Sequence, residues 1–358
     1  MKGRQKMTTA QKTKKVSKKR KGMTDEQRHT RAVENFNKKA LEFINDKNML
    51  FWDAMQDFGM GLHCGRDGKN YKGPRNQMML AMEASLNGYK SRQWLTYRYI
   101  SELGGQVRKG EYSTEVVNIF LAPRKCHHGD EGCGCNYIVV TVPQYDGSVK
   151  RERHIVDSDG KVVKVKRTGS TPVFNLDQAD WENAPKGKPQ DPTLDLDATV
   201  TANEAADSII AQYIATTGVK VVEVPLSEAP NWTKHNDQIN LPLKAQWTSE
   251  GAYYSVMFHE MAHSTAIRED KRVKRNVSGY HFSDNVRGPE EMAAELTSAY
   301  LKAFTGVQGD QLEENSIAYV QSWAAAINNN PTLIAASMDM ADRISRYILS
   351  CAEECKLR

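Results

Sequence analysis

The sequence predicts an α+β chain in two parts: a mostly antiparallel sheet with helices on one side, then a mostly helical half. Three observations carry this. β-branched and aromatic runs concentrate between residues 116 and 176, apolar residues recur at helical spacing before and after them, and the pattern from Ser249 onward is almost wholly helical. A chain of 358 residues exceeds one small core and suits two modest domains. Their expected limits are 25–183 and 201–358, after a basic arm at 1–24 and around a linker at 184–200.

Residues 1–22 hold ten Lys or Arg and no acid, whereas the whole chain carries only +5, so the remainder is net negative. A cationic segment rich in Ser, Thr and Gln cannot bury enough apolar surface to fold, which predicts a disordered arm. Such an arm suits nucleic-acid phosphates, or serves as a solubilising tail. No apolar stretch follows it and no run of about 18 apolar residues occurs. The sequence therefore predicts neither a secretory leader nor a membrane span, and a cytoplasmic location.

Val33, Phe36, Ala40, Phe43 and Ile44 fall at helical spacing within a stretch from Asp25 to Met60. Cys64 to Pro74 reads as loop. Helices are expected over Gln77–Leu86, stopped by Asn87-Gly88, and over Ser91–Leu103, stopped by Gly104-Gly105. Val116–Leu121 and Tyr137–Val142 read as strands with a cysteine-rich turn between them. Asp159-Gly160 marks a hairpin, and Pro172–Leu176 a further short strand. Three prolines with several aspartates between Ala184 and Ala198 mark the linker. A helix over Ala202–Thr216, a strand over Val219–Val224 and an edge strand ending at Pro242 open the second half. Helices over Ser316–Asn328 and Pro331–Cys351 close it and are expected to pack on its core.

His259-Glu260-Met261-Ala262-His263 carries the chemistry. Two histidines four apart project from one helix face and can give two imidazole ligands to Zn²⁺, while Glu260 can reach a zinc-bound water as general base. Three such fixed positions arise by chance on the order of 1% of the time in a chain this long. The alternative is a pair of histidines that merely satisfy hydrogen bonds in a helical core. A catalytic zinc takes a third protein ligand, for which Pro289-Glu290-Glu291 through Glu295 supplies candidates. Glu291 is the expected ligand, Glu295 would orient a ligating histidine, Glu290 points about 100° away from Glu291, and His281 is a rival. Pro289 suits a first helical turn.

The six cysteines do not resemble a disulfide framework. Cys126, His128, Cys133 and Cys135 offer enough soft ligands for a second, structural zinc at the turn; a reduced loop is the alternative.

The chain resembles the ArdC-type antirestriction proteins of plasmids and phages. The likeness rests on Tyr71-Lys72-Gly73-Pro74-Arg75-Asn76, Tyr89, Trp94-Leu95-Thr96, the run from Gly104 to Glu111, and Val173 to Gln178. In the second half it rests on Ile239-Asn240-Leu241-Pro242, the histidine motif, Glu290-Glu291 through Glu295, and Ser316 to Val320 through Trp323. The resemblance implies a single-stranded-DNA-binding domain followed by a zincin-like metallopeptidase domain, protecting incoming DNA in a bacterial host cell either by shielding the DNA directly or by cleaving a host protein. The basic arm, the cysteine cluster and the loop with His281 depart from that pattern. A pure DNA-protection protein with a structural or vestigial zinc, and an accessory part of a replication or primase system, are the other readings.

The residues between Tyr71 and Tyr112 support a single-stranded-DNA ligand on their own terms, because cations there alternate with aromatics that can stack on bases. The candidates are Lys90, Arg92, Tyr97, Arg98, Arg108, Lys109 and Tyr112, with Arg75 and Asn76 from the matched motif. Trp94 is expected in the core.

Overall fold

The structure is a computed structural model that describes residues 24–57, 61–126, 134–143, 148–191, 202–224, 229–247, 249–277, 284–308, 317–330 and 332–354. The basic arm, most of the linker, His128, Cys133 and His281 lie outside the described residues, and with them the second-zinc and rival-ligand expectations.

Helix α1 (Asp25–Lys47) opens on a capping box, in which Thr24 and Gln27 each accept the other's backbone N–H. The stretch predicted as one helix breaks at Asn48, whose φ of 51° is left-handed, and resumes only as α2 (Ala54–Asp57). Helix α3 (Pro74–Asn87) ends at Gly88, as the sequence suggests, but begins on Pro74, three residues before the expected start and inside the stretch read as loop.

The next segment corrects the sequence reading. Trp94-Leu95 forms strand β1 rather than helix, and α4 (Tyr97–Glu102) starts only after Thr96, which caps it. Trp94 is fully buried, and its indole N–H donates to His63 Nδ1 at 3.1 Å. Strands β2 (Gln106–Val107), β3 (Thr114–Pro123), β4 (Tyr137–Pro143), β5 (Val149–Ile155), β6 (Lys164–Asn175) and β7 (Ala179–Asp180) follow. All their pairings are antiparallel: β1–β6–β3, β4–β5 and β2–β7. The cysteine segment thus joins β3 to β4, two strands that do not pair. The Asp159-Gly160 turn exists, but after one bridge, Val156 to Val162, its arms part toward β4 and β3. Pro172–Leu176 is no separate strand either. Pro172 lies within β6, where β1 covers the other side only at Phe174 and Asn175, and a strand with one neighbour tolerates proline.

In the second half, α5 (Ala202–Thr217) leads to β8 (Lys220–Glu223), β9 (Asn231–Thr233) and β10 (Gln238–Leu241). The expected edge strand β10 is instead central, parallel to β8 and antiparallel to β9, with Pro242 just past its end. Helices α6 (Glu250–Ser264), α7 (Asp284–Thr305), α8 (Ile317–Asn329) and α9 (Leu333–Glu354) complete the fold. Pro289 falls inside α7, not in its first turn, because the helix starts five residues earlier than the acidic run suggests.

One apolar core joins the two ends of the chain. Phe36, Phe43, Phe51 and Met82 from α1–α3 pack in the same cluster as Tyr213, Phe258, Leu296, Met338 and Ile348. Smaller clusters lie under the first sheet, one of them closed by Trp181 on Leu95, Ile100, Val107 and Leu176. Gly104 and Gly105 serve this cluster differently. Gly104 turns the chain after α4 with φ +88°, whereas a Cβ on Gly105 would lie 2.6 Å from the Trp181 ring. Gly105→Ala is predicted to destabilise the fold by about 2 kcal/mol through this overpacking, read as a lowered urea midpoint at unchanged slope.

Candidate metal centre

Ser249 caps α6 by accepting the Ala252 N–H, and the helix then runs through the core on Ala252, Met257, Phe258, Met261 and Ala262. Small side chains let α7 approach it closely: Ser298 donates to the Ser255 carbonyl at 2.7 Å, beside buried Ala293 and Ala294. This packing brings the α7 carboxylates over the two histidines.

The Nε2 atoms of His259 and His263 lie 3.0 Å apart. Glu291 Oε2 stands 3.3 Å from the first and 3.8 Å from the second. One donor atom from each of these three residues falls within 4.8 Å of the others, the only such group among the described residues. Two imidazoles and a carboxylate are a donor set that suits a divalent metal and leaves a coordination position open.

Each ring is fixed from behind by a second carboxylate. Glu295 Oε1 is 3.4 Å from His259 Nδ1, the position that the expected orienting role requires. Glu290 Oε1 is 3.1 Å from His263 Nδ1. The sequence argument correctly turned Glu290 away from Glu291 but missed that this direction meets the far nitrogen of His263. Arg275 was missed altogether. Its guanidinium pairs with both Glu290 oxygens, Nε at 2.7 Å from Oε2, and donates to the Thr265 hydroxyl and the Ala262 carbonyl. Nothing local in the sequence signals it, since it sits in the connection after α6.

Charge balance follows from these contacts. Burial opposes ionisation of Glu290, but hydrogen bonds from His263 and Arg275 override it and hold the carboxyl down at about 2. Glu291 is likewise held at about 2 against burial, by His259 and His263. Glu260 behaves oppositely. It is 6% exposed, and burial raises its pKa despite the nearby histidines and the Trp232 backbone amide of β9. A carboxylate raised in this way is the better proton acceptor.

The candidate DNA residues fall into two groups. Asn76 and Arg92 are buried and serve the fold: the Asn76 amide pairs with both backbone groups of Val117, and Arg92 donates to the Leu62 carbonyl. Those surface contacts are therefore not available as the sequence suggested. Arg75 is largely covered and pairs with Asp339 of α9 at 3.2 Å. Lys90, Tyr97, Arg98, Arg108, Lys109 and Tyr112 are exposed, Tyr97 by 50% and Tyr112 by 84%. Of these, Arg98 pairs with Glu102, and Arg108 with Glu111 and Asp180. Cys126 is buried and Cys135 half-buried.

Removing Glu290 frees the His263 ring and strands half-buried Arg275. Glu290→Ala is predicted to weaken divalent-metal affinity by roughly 10- to 100-fold at unchanged stoichiometry, measured by competition with a chromophoric chelator.

Comparison with known proteins meets this geometry. The zincin-like metallopeptidase family profile matches residues 207–339, and that of the N-terminal domain of anti-restriction factor ArdC matches residues 51–132. DNA primase TraC of Escherichia coli is 26% identical over 289 residues, 79% of this chain but 23% of the primase, so the chain spans about a quarter of that relative. The uncharacterized protein y4eC of Sinorhizobium fredii is 25% identical over 78% of each chain. The crystal structure of antirestriction protein ArdC from plasmid R388, metal-free, shares the fold with a TM-score of 0.57 and 24% identity, covering 90% of this chain and 98% of that one. Its Mn(II)-bound form gives 0.57 and 23% over 89% and 97%. An ArdC N-terminal domain followed by a zincin-like metallopeptidase domain makes this chain an ArdC-type protein.

Proposed function

We propose that the chain is an antirestriction protein of a phage or other mobile element, which binds single-stranded DNA and hydrolyses a peptide bond of a host protein at a zinc centre. The observation that carries the hydrolytic part is the convergence of His259, His263 and Glu291 on one point, with buried Glu260 beside it. A divalent ion held there supplies Lewis-acid polarisation of a carbonyl and a lowered pKa for water.

The chain's own groups do the rest. Glu295 and Glu290 accept hydrogen bonds from the Nδ1–H groups of the two histidines, which leaves both Nε2 lone pairs for ligation. Glu260 takes the proton of the attacking water and returns it to the leaving amine. A structural site needs no such group, which favours hydrolysis over a purely structural zinc. The relatives support the nucleic-acid side: one is an antirestriction protein and one a DNA primase. Exposed Lys90, Tyr97, Arg98, Lys109 and Tyr112 supply the cations and aromatics that a single strand requires. No described helix is long and apolar enough to cross a membrane.

Elemental analysis tests the centre. Wild type is predicted to retain zinc, and the His259→Ala/His263→Ala double variant to hold one equivalent less; equal metal in both proteins defeats the proposal. Glu260→Ala is predicted to keep metal and DNA binding while losing peptide hydrolysis by at least about 100-fold. Undiminished protection of incoming DNA by Glu260→Ala would favour the reading in which binding alone suffices.

A further inference from the structure

A cleft of roughly 370 Å³ opens beside the first sheet, away from the metal centre. Strand alternation builds its inner face. In the register of β3 and β6, Val116 lies opposite Thr171 and Thr114 opposite Val173, so Val116, Asn118, Thr171 and Val173 share one side. Trp94 joins that side through its pairing with Asn175. Trp94, Val116 and Val173 are buried and make an apolar back wall. Asn118 and Thr171 stand in front of it, the amide N–H of the first donating to the hydroxyl of the second at 2.9 Å.

Aromatic rings and cations complete the cleft. The Tyr71 ring is locked by its hydroxyl, which donates to the Trp94 carbonyl at 2.8 Å. The Arg66 guanidinium lies 4.3 Å over the Tyr99 ring, and Arg98 stands nearby, tied to Glu102 at 2.7 Å. Both guanidinium-bearing side chains are about two-thirds exposed, at 65%.

We propose that this cleft receives one unpaired nucleobase of a bound single strand, with Arg66 and Arg98 meeting the flanking phosphates. This rests on the single-strand reading of the first half and deepens it. The volume lies at the small end of ligand pockets, enough for one base with its sugar and too little for a base pair. Half-buried Tyr71 and Tyr99 line the cleft and are side chains of the kind that stack on bases, and the Asn118 amide and Thr171 hydroxyl can pair with a polar base edge. A peptide side chain would satisfy the apolar wall but gives no use to two cations at the rim.

The test compares full-length wild type with Asn118→Trp, which fills the cleft from an exposed strand position, and Asn118→Leu, which removes only the amide. Fluorescence anisotropy measures binding of an oligothymidylate of about 12 nucleotides and of an abasic strand of equal length. Wild type is expected to bind the base-bearing strand about tenfold tighter than the abasic one. Asn118→Trp should lose about that factor on oligothymidylate and bind the abasic strand as wild type does, so that the preference disappears; Asn118→Leu should lose part of it. Arg66→Ala should weaken both strands alike, since it acts on the backbone. If both Asn118 variants retain the wild-type preference, or wild type binds the two strands equally, the cleft is not a base site while the single-strand reading survives. If wild type binds neither strand, the single-strand reading fails and the cleft with it.

Discussion

Everything at the metal centre depends on one buried electrostatic arrangement between α6 and α7. Glu290, itself 4% exposed, is clasped by Arg275 and by His263. An isolated carboxylate at that depth would be costly, and so would the guanidinium without it. The pair is tolerable only when the segment after α6 folds back beneath the helix and α7 lies in one register against it. That register also sets Glu291 facing both Nε2 atoms and Glu295 behind His259. Three neighbouring acids on one helix thus reach three different nitrogens or guanidinium groups, and none is left as a solvated charge.

The same helices are held from the other side by the beginning of the chain. Phe36, Phe43 and Phe51 sit in the core with Phe258 and Met261. The first three helices therefore back α7 and α9, which in turn pack on the helix that carries the histidines, although the sequence separates them by some two hundred residues. Arg75 of α3 reaches Asp339 of α9 across this junction. A metal site that needs ligands fixed to a fraction of an ångström gains from a core drawn from both ends of the chain.

The sheet in the first half works differently. Its interior is small, closed by Trp181 against Gly105 and by Trp94 against Val116 and Val173. Polar side chains that look like ligand contacts in the sequence are consumed in the fold, Asn76 in tying α3 to β3 and Arg92 in holding the Leu62 carbonyl. The residues left for a ligand are Lys90 before β1 and the exposed tyrosines and cations on α4 and on the segment between β2 and β3. Arg66, in the loop before α3, joins them by stacking on Tyr99.

What the sequence determined by itself is what short-range geometry dictates. Two histidines four apart share a helix face, Glu291 and Glu295 share another, and Asn87-Gly88 ends a helix. These rest on helix periodicity and capping, which act within a few residues. The strand pairings were not legible, because β6 chooses β3 and β1 rather than its neighbour across the Asp159-Gly160 turn, and β10 enters the middle of its sheet. Trp94-Leu95 became strand in spite of a helical pattern, since pairing with Phe174-Asn175 buries the indole completely. Glu290 and Arg275 gained their roles only in three dimensions. No local pattern encodes an ion pair across a connection, and burial decides which carboxylate must find a partner.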